Sequence, residues 1–136
     1  MIPAFEPIAP EANALRRVRR SEINSLGRIR KGAFLPCKSG KDREGLSVSI
    51  ENAALRAVHR AKYDDGEHRA CYVTVGSVRE LQPLDVVAEP DEDDPAHALI
   101  VGIPDLTLGI NELERAEYFA GELARRARPY TFPANE

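Results

Sequence analysis

Tryptophan is absent from this chain of 136 residues, methionine occurs once and cysteine twice. Two cysteines exclude a disulfide framework as the device that holds a domain of this size together. Cys37 and Cys71 are therefore read as free thiols in a reducing compartment. Cys71 heads an apolar, strand-like run and is expected to be buried, while Cys37 stands in a polar stretch and is expected to be exposed. No segment approaches the roughly 18 consecutive apolar residues that a membrane span needs. The first residues, Met1-Ile2-Pro3-Ala4-Phe5-Glu6-Pro7, lack the basic-then-apolar order of a secretory signal. The expectation is a cytoplasmic protein that makes no membrane contact.

Metal and phosphate motifs are missing as well. There is no C-x-x-C and no H-x-x-x-H, so neither a metal nor another cofactor is expected. The acidic loop around Pro90 and Pro95 lacks the alternate ligand spacing and central glycine of a calcium loop. Ser39-Gly40-Lys41-Asp42 lacks the upstream glycine of a P-loop and has Asp42 where that loop needs a hydroxyl. Cys37 has Lys38 beside it, which favours a thiolate, but no histidine lies near it in sequence.

What is present is ordinary globular composition. Hydrophobic residues make up 43% and charged residues 30%, which excludes a disordered chain. The length suits one domain over residues 1–136, with the proline-rich residues 1–12 as an extended N-terminal arm. The net charge of −3 conceals an uneven split. Residues 1–45 hold ten Lys/Arg against five Asp/Glu, and the remainder nine against seventeen. Two complementary halves of one domain are the first expectation from such a split, and a basic binding surface the second.

Periodicity assigns the elements. Leu15 and Val18 lie one helical turn apart, which predicts a short helix over 11–20. A strand is expected over 29–36, a polar loop over 37–45, and a half-buried strand at Leu46-Ser47-Val48-Ser49-Ile50. Residues 51–62 turn helical, with Ala54, Leu55, Val58 and Ala61 on the inward face and Asp64-Asp65-Gly66 as the stop. Strands follow at 70–75, 84–88 and 98–101, with a short helix near 78–81 behind a cap at Ser77. The last helix has an Asn111 cap, a capping-box partner in Glu114 and a buried stripe of Leu113, Ala116, Ala120, Leu123 and Ala127. Glu112 and Arg125, Arg126 and Arg128 suit its dipole, and Pro129 ends it. The fold class is α+β: a small mixed or mainly antiparallel sheet, helices packed on one face, and a C-terminal amphipathic helix.

Three surfaces carry the candidate chemistry. His97 follows four acidic side chains and opens an apolar strand, so it is the candidate catalytic residue of a small enzyme. Such an enzyme would act on a phosphodiester or nucleotide, with Arg30, Lys31 or Arg43 holding the anion. Alternatively, His97 simply bonds the loop and fixes where the strand begins. His59 and His68 are expected to be structural or exposed. Arg16, Arg17, Arg19 and Arg20, continued by Arg28, Arg30 and Lys31, form a basic segment suited to phosphates. Few aromatic residues accompany it, and the isoelectric point of about 5.7 argues against nucleic acid. Glu89, Asp91, Glu92, Asp93 and Asp94 form an acidic loop suited to docking.

Ala33-Phe34-Leu35-Pro36, Gly45-Leu46-Ser47-Val48 and Asp94-Pro95-Ala96-His97-Ala98-Leu99-Ile100 together resemble a pattern shared by small bacterial proteins. In these an AF-x-P strand, an LSV strand and a late PAHA segment occur in that order, and the likeness covers residues 28–102. The resemblance implies a common fold in which Phe34, Val48 and His97 approach one another. It implies no activity, and an association of such proteins with mobile or conflict-related loci inclines the expectation toward partner binding. The function expected first is therefore a protein-interaction module that docks on a protein partner through the acidic loop, the basic segment or both. A His97-centred enzyme and nucleic-acid binding through the arginines follow, in that order.

Overall fold

The structure, a computed structural model, describes residues 7–36, 45–104 and 109–133. Six strands form one antiparallel sheet: β1 (Asn13–Arg19), β2 (Leu46–Ile50), β3 (His68–Thr74), β4 (Asp85–Ala88), β5 (His97–Val101) and β6 (Arg128–Tyr130), in the order β4-β5-β2-β1-β3-β6. Helices α1 (Arg56–Tyr63), α2 (Val75–Arg79) and α3 (Ile110–Arg126) complete the α+β fold. Strands β2, β4 and β5 fall where alternation and apolar runs place them, and β3 begins two residues earlier than expected.

The expected helix over 11–20 is instead the central strand β1, paired along its whole length with β3 from Asn13↔Thr74 to Arg19↔His68. Because β1 is covered on both faces, Ala14 and Val18 enter the main core while Leu15 enters a second cluster on the opposite face. Burial on both sides erases the alternation that would have marked a strand. The strand expected over 29–36 is a single 3-10 turn, Lys31–Phe34, which tucks the fully buried Phe34 into the main core. β6 has no counterpart in the sequence reading.

One face of the sheet presents Ala14, Val18, Leu46, Val48, Cys71, Val73, Ala98 and Ile100 to α2 and α3. In α3 the residues Ala116, Phe119, Ala120, Leu123 and Ala124 are buried, and the helix lies closest to the turn at Lys31–Phe34. Its N-cap is Gly109, with no side-chain cap, so Asn111 and Glu114 lie within the first turns rather than making the expected capping box. Thr74, not Ser77, caps α2, by accepting from Ser77 N–H at 3.2 Å. Cys71 is buried, and burial pushes its thiol up to about 12. Cys37 lies outside the described residues. Of the N-terminal arm, Ile8 packs on the main core, and its carbonyl accepts from Arg79 at 2.7 Å.

Helix α1 crosses the other face, and its inward side differs from the expected one. His59 and Tyr63 are buried, whereas Val58 is 45% exposed and Ala54 and Ala61 are exposed. Leu15, Tyr63, Ala70 and Phe132 form the small apolar cluster beneath it. Ser49 and His97, directly paired on neighbouring strands, occupy the same face.

Candidate functional site

The polar centre of the molecule lies beneath α1. Asp94 is 1% exposed, not solvated as its acidic neighbourhood suggests. Its Oδ2 accepts from the Ser49 hydroxyl and from Lys62 Nζ at 3.3 Å. Its Oδ1 accepts from His59 Nε2 at 3.1 Å and from Ala96 N–H at 3.0 Å. Ser49 in turn meets the Tyr63 hydroxyl at 2.6 Å. Burial opposes charge on Asp94, but the bonds from Ser49, His59 and Ala96 outweigh it and hold the carboxyl well below the usual carboxylate range. Burial likewise raises the Tyr63 phenol.

Serine, histidine and aspartate meet here in the wrong order for nucleophilic catalysis. Asp94 stands between Ser49 and His59, so His59 bonds the carboxylate rather than the hydroxyl it would have to deprotonate. Ser49, His59, Tyr63 and Asp94 are each at most 2% exposed, and only Lys62 reaches solvent. The cluster fastens α1 and the 89–96 loop onto the sheet. His59 and Tyr63, four residues apart on one helix face, are the only hint of it in the sequence.

His97 is 9% exposed, and its Nδ1 donates to the Glu89 carbonyl at 2.8 Å, with the Glu89 carboxylate 3.4 Å away. It closes the loop rather than facing a cleft. Arg30 and Lys31 are not near it. Lys31 pairs with Glu117 of α3 at 2.9 Å, on the opposite side of the sheet, and Arg43 lies outside the described residues. Phe34 and Val48 do share the main core, but His97 faces away from them. The acidic loop is tightly built. Asp91, though exposed, accepts from Asp93 N–H at 2.9 Å and Asp94 N–H at 2.6 Å, and Glu89, Glu92 and Asp93 are the loop's other exposed acids.

The arginine segment divides. Arg16 points to the core side, donates to the carbonyls of Ala33 at 2.7 Å and Ser47 at 2.9 Å, and covers the Phe34 ring at 5.8 Å. Arg17, Arg19 and Arg20 face outward and line a recess of about 610 Å³ with Ser21, Glu67 and His68. His68 is set there by Asp65, 3.0 Å from its Nδ1, while Arg17 Nη2 lies 3.2 Å from its Nε2. Glu67 N–H and then His68 hold the Asp65 carboxyl below its ordinary range.

This recess does not end at Arg20. A second, of about 370 Å³, shares Arg20 and adds Arg69 and Gly27, and a third, of about 480 Å³, shares Gly27 and adds Arg28, Arg125 and Arg128. Three adjoining recesses, together an arginine track, are thus set from the end of β1 to the C-terminal end of α3. Arg125 pairs with Glu122 at 2.9 Å. Among the described residues, Arg17, Arg19, Arg20, Arg28, Arg69 and Arg128 have no carboxylate partner, and Arg20 and Arg128 lean only on backbone carbonyls. Sequence reasoning assigned Arg16, Arg17, Arg19, Arg20, Arg28, Arg30 and Lys31 to one basic segment. It missed Arg69 and Arg128, which the sheet brings in from 40 to 100 residues away along the chain.

No family model, no curated protein and no solved structure matches this chain. No helix among the described residues is long and apolar enough to cross a membrane, and no cluster of three potential metal ligands occurs among them.

Proposed function

We propose that this protein is a non-catalytic binding module that holds the phosphate backbone of nucleic acid along its arginine track. One observation carries the proposal: Arg17, Arg19, Arg20, Arg28, Arg69 and Arg128 line adjoining recesses and form no ion pair among the described residues, with Glu67 the one carboxylate lining those recesses. Guanidinium groups left unpaired on a folded surface repel one another, and bidentate bonds to phosphate relieve that repulsion. A protein partner would call for an apolar centre within the surface, and Leu26 is the one large exposed apolar side chain lining the track. The sequence-level preference for a protein partner weighed the acidic loop equally with the basic segment. That loop spends Asp94 and Asp91 on its own structure, which favours the basic surface. The His97 enzyme loses its support, because His97 is bonded to loop backbone and, among the described residues, no basic side chain bonds to it.

Among the described residues no Phe, Tyr or Trp lines the track, and its one imidazole, His68, is held between Asp65 and Arg17, so it offers little on which unpaired bases could stack. A duplex backbone fits it better than a single strand. The test is fluorescence anisotropy with a labelled duplex across a salt series. If five of the arginines hold phosphates, log K falls against log salt with a slope of about −4.5, and each arginine removed reduces that slope by about one. Binding to polyglutamate as tight as to duplex, or a flat salt response, would overturn the proposal.

A further inference from the structure

Leu26 is 78% exposed, the most exposed large apolar side chain among the described residues. It stands at the tip of a short hairpin closed by the Ile23↔Ile29 bridge and by Asn24 N–H to Arg28 O at 3.0 Å. Asn24 sets the tip twice over. Its side-chain oxygen accepts from Leu26 N–H at 2.9 Å and Arg28 N–H at 3.0 Å, and its carbonyl accepts from Gly27 N–H at 2.9 Å. Gly27 has φ +76°, a conformation that few other residues adopt without strain. At the base of the hairpin Ile29 is buried in the main core. A leucine with nothing to cover it is thus presented on a stiff, narrow support, between two of the arginine-lined recesses.

Resting on the phosphate-backbone reading above, we infer that Leu26 is a wedge that enters the minor groove of a duplex and partly unstacks one base step. The minor groove, about 6 Å wide, excludes a helix but admits a hairpin tip with one branched side chain. Arg28 and Arg20, on either side of the tip, are placed to follow the two backbones as the groove opens. Unstacking costs free energy, which the added phosphate contacts on a bent duplex offset. Steps that unstack easily, such as TA, are therefore preferred without any base being read by hydrogen bonds.

The test uses the full chain and a duplex of about 20 base pairs with a central TA step, labelled at both ends for energy transfer. Wild type brings the ends closer on binding. Leu26→Ala still binds with a salt dependence, though a shallower one because the phosphate contacts added by the bend are lost, binds about tenfold more weakly, and leaves the ends at their free-duplex separation. Leu26→Met, which keeps an apolar wedge, bends the duplex as wild type does. Steeply salt-dependent binding by wild type with no change in end separation would sink the wedge alone, as would equal bending by Leu26→Ala. Absence of duplex binding at about 50 mM salt would sink the phosphate-backbone reading and the wedge with it.

Discussion

Asp94 shows how far one side chain departs from its neighbourhood in sequence. Four of the five acids between Glu89 and Asp94 face water, but Asp94 turns inward to Ser49, His59 and Lys62. Removing one partner from a buried charge network strands the others, so Asp94→Ala is expected to cost about 3 kcal/mol in urea unfolding. Its pH dependence has a definite sign. The folded carboxyl lies below its unfolded value of about 3.9, so the unfolded chain takes up the proton first as the medium is acidified. The contribution is whole above about pH 5, declines below about pH 4 and is lost as pH falls through the folded value. Asp94→Asn should therefore show a flatter loss of stability between pH 5 and 2 than wild type, and an identical slope would disprove the assignment. None of this was legible in the sequence. His59 lies 35 residues from Asp94 and Ser49 lies 45, and a run of acids carries no mark of the one that turns inward.

Among the elements, β1 is where sequence reading and structure part most clearly. Leu15 and Val18, three apart, imitate a helical face, but they serve opposite faces of a sheet whose two sides are both covered. Arginine suits helices well on its own, and pairing with β3 along seven positions overrides that preference. Where one face of a strand is polar, as in Leu46-Ser47-Val48-Ser49-Ile50, period two was plain and the strand was legible to the residue. Helix α3 was legible for a similar reason, since its single buried stripe follows its period. The strand geometry also splits the arginines by parity. Arg16→Ala should cost about 2 kcal/mol in stability, because two backbone carbonyls and the Phe34 ring lose their partner, yet leave the salt slope of duplex binding unchanged. Arg19→Ala should do the reverse, shifting stability by under about 0.5 kcal/mol while reducing the slope by about one. Thermal unfolding and anisotropy on the same two variants decide it, and a helix over 11–20 would not separate neighbours in this way.

Taken whole, the molecule carries its acidic loop and its arginine track at different places on one sheet. The acidic loop joins the sheet beside Ser49 and Leu15, near the start of β1, and the arginine track takes in Arg17 and Arg19 toward the end of β1. The track draws Arg17, Arg19, Arg20 and Arg28 from the basic first part of the sequence and Arg69 and Arg128 from the acidic remainder, so the placement of charge on the surface does not follow the split along the chain. Leu15 and Arg19 lie four residues apart, about 13 Å by a rise of about 3.3 Å per residue along β1. At physiological salt the screening length is about 8 Å, so the outward carboxylates of Glu92 and Asp93 hardly reach a polyanion seated on the track. At 10 mM salt it is about 30 Å, and the same two charges repel the approaching backbone while turning the arginine end toward it. Replacing both, as Glu92→Gln with Asp93→Asn, removes no hydrogen bond that builds the loop, whose side-chain acceptors are Asp91 and Asp94. The double variant should change duplex affinity less than about twofold at 0.15 M salt and raise the association rate about two- to threefold at 10 mM. Stopped-flow association at the two salts measures both. A large loss of affinity at 0.15 M would instead make the acidic loop a contact surface in its own right, and return protein docking to first place.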